Sequence, residues 1–245
     1  RLSGYYFLAP YYDALQEEVN YAAIADWCEN CFSRAGRAVR SVLDLACGTG
    51  TLSYILADRG FDVTGADISA EMLSAAESKR AKRAAGNPLF ICQAMDGLDL
   101  YGTVDAAVCT LDGVNYLARE ELRRAFGRAA LFIEPGGVFI FDVHSSEKFE
   151  WMHGRIFRSE SADSYCVWSA ARDDNSGRIV YDMDVFAKKG SAWIRSSERH
   201  IQYEYGADEL RKELLSSGFR KVVTSDEDNS ISGPDAARLY IFAER

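Results

Sequence analysis

A carboxylate beside a glycine turn is the first arrangement in this chain that could do chemistry. Asp44 stands near the end of an apolar run, Val42-Leu43-Asp44-Leu45-Ala46, that leads directly into Cys47-Gly48-Thr49-Gly50-Thr51. Glycines where a strand turns into a helix let a ligand approach the backbone closely. Dinucleotide sites use the same geometry, so the Gly-x-Gly spacing alone does not choose a ligand. Two neighbouring residues do. A pyrophosphate-binding loop places a third Gly or Ala three residues after the second glycine, whereas this chain has Ser53, and Asp44 would repel the anionic pyrophosphate. A carboxylate there favours a ligand with an ammonium and a sulfonium, the charges of S-adenosylmethionine. The plainer alternative is that Asp44 only satisfies backbone donors of the turn.

Two further acidic positions follow. Asp67 closes Thr64-Gly65-Ala66-Asp67-Ile68-Ser69 about 20 residues after the loop, where an acid can accept both ribose hydroxyls. A helix N-cap is the competing role for Asp67, but Ser69 is better placed for it, with Met72 and Leu73 opening the apolar face. Gln93-Ala94-Met95-Asp96 then offers an apolar side chain for an adenine face and an acid for its exocyclic amine.

These residues need a scaffold that gathers them at one edge. From Ala38 to Val143, short β-branched apolar runs alternate with helical spacing, the signature of a parallel sheet. The predicted strands are Val39–Leu45, Phe61–Ala66, Leu89–Cys92, Val104–Thr110 and Val138–Val143. Helices are predicted at Leu52–Asp58, Ala70–Ala84 and Arg119–Phe132, with breaks at Gly60, Gly86 and Gly136-Gly137. Right-handed crossovers make this a doubly wound α/β sheet, whose ligands bind at strand C-termini. Past His144 the pattern alternates apolar and polar residues over Arg155–Arg158, Tyr165–Ala171, Ile179–Ala187 and Trp193–Tyr205, with Asp174-Asn175-Ser176-Gly177 and Lys188-Lys189-Gly190 as turns. That predicts antiparallel hairpins. A helix over Ala207–Ser217, ended by Gly218, and strands Lys221–Thr224 and Ala237–Ala243 return the chain to the sheet. The predicted organisation is a helical lid over 1–38, a core over 39–149 and 206–245, and an antiparallel β insertion over 150–205.

Bulk properties narrow the partners. With 28 Lys plus Arg against 37 Asp plus Glu, the net charge is -9, which disfavours a general nucleic-acid or anionic-membrane binder. From Arg155 to Tyr205 the insertion carries eight basic and eight acidic residues, so it adds no basic face. The basic run Lys79, Arg80, Lys82 and Arg83 suits the negative end of a helix dipole. No apolar run is long enough to span a bilayer, and Arg1 to Tyr12 lacks a secretory-signal pattern, so a cytoplasmic protein is expected. Six cysteines without disulfide-framework spacing agree. Cys28 and Cys31 form an isolated C-x-x-C on a helix, which reads as packing, and no metal site is expected.

The three loops together resemble those of the class I S-adenosylmethionine-dependent methyltransferases: D-L-A-C-G-T-G the glycine motif, G-A-D-I-S-A-E-M-L the ribose segment, and Q-A-M-D the adenine segment. The likeness spans roughly Asp13 to Val143 and is closest to a small bacterial subgroup with Tyr12-Asp13 and Tyr21 ahead of the core. In that subgroup L-D-G-V-N-Y-L follows strand four and F-D-V-H-S ends strand five. The resemblance implies a mainly parallel seven-stranded Rossmann-like sheet, S-adenosylmethionine as cofactor and methyl transfer as reaction. It implies cofactor contacts from Tyr12, Tyr21, Asp44, Ala46, Cys47, Gly48, Thr49 and Gly50, and from Asp67, Ile68, Met72, Ala94, Met95, Asp96, Cys109 and Thr110. The acceptor lies beyond it.

Because a sulfonium methyl is already electrophilic, the protein mainly has to align an acceptor and exclude water. A base is needed only for an acceptor that must lose a proton. Candidates are Asp112, Asn115 and Tyr116 after strand four and His144 after strand five, although a His at a strand end serves equally well as a hydrogen-bonded structural residue. Trp168, Trp193, Tyr203 and Tyr205 make the insertion an acceptor wall or an oligomer surface. The expected acceptor is a small molecule taking the methyl on N or O, with the protein a monomer or homodimer. An RNA or protein methyltransferase, a nicotinamide oxidoreductase and a non-catalytic cofactor-binding module are the competing readings.

Overall fold

The computed structural model describes residues 5–81, 83, 86–173 and 176–245. Lys82 and Ala84 of the predicted helix end, and Asp174 and Asn175 of the predicted turn, lie outside the described residues.

Seven strands make the main sheet: β1 (Ser41–Leu45), β2 (Asp62–Asp67), β3 (Leu89–Cys92), β4 (Val104–Cys109), β5 (Ile133–His144), β10 (Lys221–Thr224) and β11 (Arg238–Glu244). Their order is β3-β2-β1-β4-β5-β11-β10, parallel from β3 to β5, with β11 antiparallel to both neighbours. The chain reverses direction across the sheet between β1 and β4, which opens a crevice at their C-terminal ends.

Central strands buried on both faces need apolar residues in unbroken runs, and β5 shows why. Val138 and Ile140 pack with Trp27, Cys28 and Phe32 of α2 (Tyr21–Phe32) and with Leu52 and Leu56 of α3 (Thr51–Asp58). Phe139, Phe141 and Val143 turn the other way, towards Leu122 and Phe126 of α5 (Arg119–Phe132) and Leu210 and Leu214 of α7 (Ala207–Ser216). Cys28 and Cys31 are buried in the α2 contact, where burial pushes the Cys28 thiol up and that of Cys31 to about 12. This suits packing rather than ligation.

The break expected at Gly136-Gly137 falls inside β5. Helix α5 runs straight into the strand, and the register with β4 slips between Val104↔Ile133 and Ala106↔Val138. Gly136 sits at φ +80, and a Cβ on Gly137 would lie 2.4 Å from the Asp105 carbonyl, so the bulge needs both glycines.

A second, four-stranded antiparallel sheet of β6 (Ile156–Glu160), β7 (Ser164–Asp173), β8 (Arg178–Lys189) and β9 (Ala192–Tyr203) follows the predicted hairpins. It is preceded by α6 (Ser146–Met152), which the sequence reading lacks. Ser145 caps α6 by accepting the Lys148 amide at 3.2 Å, and Phe149 and Met152 pack against Ala170 and Tyr181. Seven residues are too few for a helical period to stand out. The remaining described helix, α4, covers Ala70–Arg80, and α1 covers Tyr12–Leu15. Leu8, Tyr11, Tyr12 and Leu15 pack on Cys166 and Val185, so the segment before α2 lies between the second sheet and the core.

Candidate active site

The loop after β1 takes a left-handed path through Ala46 (φ 53), Gly48 (φ 55) and Gly50 (φ 73). A Cβ on Gly50 would meet the Phe90 ring at 2.6 Å, so only glycine fits between the loop and β3. The loop is fastened by Asp67, whose two carboxylate oxygens accept the amides of Gly48 and Ser69, each at 2.8 Å. A carboxylate can accept more than these two bonds, so Asp67 retains capacity for a ligand hydroxyl. Ser69 in turn caps α4 through the Met72 amide at 3.2 Å.

Asp44 is 2% exposed and meets no cationic side chain among the described residues; its Oδ2 accepts the Ser53 hydroxyl at 2.5 Å. Burial pushes its carboxyl up to about 7, the Ser53 hydrogen bond pulling the other way. Ser53, which marks the departure from a pyrophosphate loop, is thus also the group that holds Asp44. A buried carboxylate without a counter-charge is what a ligand cation would complete.

Around this loop lies a cavity of about 400 Å³. Of the expected cofactor residues, Tyr12, Tyr21, Asp44, Ala46, Cys47, Gly48 and Thr49 line it, as do Asp67, Ile68, Met72, Ala94, Met95, Asp96 and Thr110. Gly50 and Cys109 do not. Gly50 is the spacer under Phe90, and Cys109 is fully buried with its Sγ 3.7 Å from Met95 Sδ, so it packs behind the wall. Asp96 Oδ2 is held by Arg124 at 2.7 Å, leaving Oδ1 for an amine. Asp13 ties α1 across the loop: it accepts the Thr49 hydroxyl at 2.5 Å and pairs with Lys79 at 2.6 Å. Leu111, Arg199, His200 and Ile201 also line the cavity, and sequence reasoning did not find them. The last three come from β9, whose placement beside the crevice has no local sequence signal.

A second cavity of about 590 Å³ adjoins the first and shares Tyr5, Tyr12, Leu111 and Tyr116 with it. Leu111 and Asp112 both have left-handed backbones (φ 56 and 57), and their amides donate to Asp142 at 2.9 and 3.2 Å. That fixes Asp112 where Arg238 reaches it at 2.8 Å while also pairing with Asp142 at 2.6 Å. His144 lines this cavity, with Nε2 3.5 Å from Asp112 Oδ1 and no partner for Nδ1 among the described residues. Burial pulls the imidazole down from its usual range, against the pull of Asp112, so it is neutral at pH 7. Asn115 is fully buried and lines neither cavity. Its amide donates to the Tyr203 carbonyl at 2.8 Å, and its Oδ1 accepts the His144 amide at 3.0 Å. It therefore clamps β5 to β9 from behind the cavity walls. Tyr116 stands in the wall between the cavities.

The insertion aromatics separate. Trp168, stacked on Phe157 at 4.2 Å, lines the second cavity, and Tyr203 lines the first. Tyr205 is buried in the main core, and Trp193 is half exposed beside the β8–β9 turn. Core and insertion each contribute to both cavities.

A doubly wound sheet with this glycine turn, an acid at the end of β2 and a buried unpaired carboxylate at the end of β1 defines a protein that binds a nucleoside cofactor with a cationic tail. Residues 42–137 match the methyltransferase domain family. The chain is 33% identical to the putative methyltransferase YqeM of Bacillus subtilis (strain 168), over 98% of this chain and 97% of that protein. Two crystal structures superpose over nearly the whole fold. A S-adenosylmethionine-dependent methyltransferase from Clostridium acetobutylicum ATCC 824 has TM-score 0.79 at 24% identity, over 96% of both chains. The sugar N-methyltransferase KedS8 from Streptoalloteichus sp ATCC 53650 has TM-score 0.78 at 23% identity, over 96% of this chain and 92% of that one. The chain belongs to the class I S-adenosylmethionine-dependent methyltransferases, and S-adenosylmethionine is its cofactor. No helix among the described residues is long and apolar enough to cross a membrane.

Proposed function

We propose that the protein moves the methyl group to the nitrogen of a small amine held in the second cavity. The observation that carries this reading is the lining of that cavity: Asp112, Asp142, Asp235 and Glu18 outnumber Lys148 and Arg238, among rings that include Trp168 and Tyr181. Carboxylates in excess beside aromatic faces favour a cationic ligand with an apolar body. The N-methyl transfer performed by KedS8 supports the same atom.

When bound, the cofactor supplies an electrophilic methyl group. Asp44 holds its ammonium, Asp67 its ribose, and Met95 with Asp96 its adenine. Tyr12 and Tyr21 cover it. His144, neutral, stands in the cavity wall beside Asp112, whose carboxylate balances the charge of the amine. The excess of carboxylates disfavours RNA, a polyanion. Six free thiols among the described residues suit a reducing cytoplasm, with the protein acting as a monomer or homodimer.

The test is release of S-adenosylhomocysteine with phenethylamine, tyramine and their alcohol counterparts. Turnover of amines but not alcohols is expected; transfer only to hydroxyls, or only to RNA or protein, would overturn the reading.

A further inference from the structure

Between the two cavities lies a chain of polar groups that the roles above do not use. Tyr116 Oη is 2.7 Å from Tyr5 Oη and 3.3 Å from His200 Nδ1. His200 Nε2 is 3.1 Å from Glu198 Oε2. The His200 side chain is fully buried and that of Glu198 is 5% exposed. Glu198 Oε1 also accepts the amides of Phe7 and Leu8, the latter at 3.0 Å. Tyr5 packs edge-on against the imidazole with ring centroids 4.6 Å apart.

Directions along this chain follow from donor inventory. A carboxylate can only accept, so the proton of the imidazole is on Nε2 and Nδ1 is an acceptor. Tyr116 must therefore donate to Nδ1, and its oxygen receives the Tyr5 hydroxyl. Both phenols line the two cavities, so the hydroxyl pair stands where the cavities meet. Burial holds both phenols protonated, so they work as neutral hydroxyls.

We propose that Glu198 and His200 are a positioning pair that turns the Tyr116 hydroxyl into the proton acceptor for an incoming ammonium. This rests on the amine reading. An amine that arrives as an ammonium has no lone pair with which to attack. In the proposed step one N–H proton passes from the ammonium to Tyr116 Oη as the hydroxyl proton of Tyr116 passes to His200 Nδ1. The ammonium becomes a neutral amine, Tyr116 is again a phenol, and the imidazole becomes an imidazolium beside the Glu198 carboxylate. No electrons change hands. Glu198 also fastens the segment carrying Tyr5, so the hydroxyl pair is assembled only when that segment covers the site.

The chain has three histidines, so long-range ¹H–¹⁵N spectra of the full-length protein with saturating S-adenosylhomocysteine can be assigned with His144→Gln and His153→Gln. His200 is expected as the Nε2–H tautomer with a hydrogen-bonded Nδ1. Glu198→Gln should move it to the Nδ1–H tautomer, because the new amide can donate to Nε2. Tyr116→Phe should keep the tautomer and shift Nδ1 towards the value of a free acceptor. An Nδ1–H tautomer in the unaltered protein, or a tautomer indifferent to Glu198→Gln, overturns the proposal. With phenethylamine, Glu198→Gln should lower kcat about tenfold or more with the S-adenosylhomocysteine Kd within about twofold; an unchanged kcat also overturns it. Failure of the unaltered protein to methylate any amine would sink the amine reading instead, with the tautomer result standing apart from it.

Discussion

The two cavities share a wall but are built on different principles. The cofactor cavity is made mostly from consecutive strand ends of a parallel sheet, so each contact sits at or just past a strand end: Asp44 and the glycine loop at the end of β1, Asp67 at the end of β2, Met95 after β3. The second cavity collects residues from widely separated parts of the chain, among them Tyr12, Asp112, His144, Trp168, Gln202 and Arg238. Local geometry sets the first; long-range register sets the second. A fold can therefore keep one cofactor while its acceptor changes, because the acceptor residues move with loops and hairpins that the parallel core does not constrain.

Substitutions can break this contrast, beginning with the largest effect. Asp44→Asn keeps the hydrogen bond with Ser53 but removes the charge, so S-adenosylhomocysteine affinity should fall about a hundredfold by calorimetry. The same variant tests the raised Asp44 carboxyl. With the folded value near 7 and the ordinary value 3.8, the folded apo protein holds the proton more tightly than the unfolded chain. That contribution to stability is full below about pH 4 and is lost as the pH rises through 7. Asp44→Asn should therefore melt higher than the parent at pH 8, by about 2–4 °C for each kcal/mol recovered. Parent affinity for S-adenosylhomocysteine should weaken from pH 8 to pH 6, whereas that of Asp44→Asn should not follow this trend. A flat parent profile would show that Asp44 is ionised without ligand.

Asp67→Ala should weaken cofactor binding by about 1–3 kcal/mol. Because Asp67 also accepts the Gly48 and Ser69 amides, a loss of stability of about 1–2 kcal/mol in urea unfolding should accompany it, an effect the sequence reading did not anticipate. Calorimetric affinity equal to that of the parent would remove Asp67 from the site. Trp168→Ala should separate the cavities: S-adenosylhomocysteine Kd within about twofold, but kcat/KM for an accepted amine lower by about 1–2 kcal/mol through the lost ring contacts. Equal loss of both would mean that the cavities are energetically one. Trp193→Ala, at the half-exposed end of the second sheet, should change neither measurement, and a loss of turnover there would place acceptor contacts on the wrong end of β9.

Most of the parallel half could be read directly. β3, α5 and β10 fall on their expected boundaries, and the other core strands lie within a few residues, except that β5 begins at Ile133 instead of Val138. Strands buried on both faces leave apolar runs that local pattern exposes, and the glycine loop announces itself because left-handed backbone beside Phe90 admits no side chain. The carboxylates at strand ends inherit their positions from those strands.

What the sequence could not set was decided by contacts made far along the chain. Asn115 looked like an acceptor-facing residue, yet its amide is consumed by His144 and by Tyr203, 88 positions away. His200 carries no motif, and meets Tyr116 across 84 positions only because the register of β8 with β9 points it inward. Trp168 and Trp193 alternate alike in sequence but end at opposite fates, one in the cavity and one in solvent. Period-two alternation assigns a residue to a face of a sheet, and only the packing of that sheet on the core decides what the face meets.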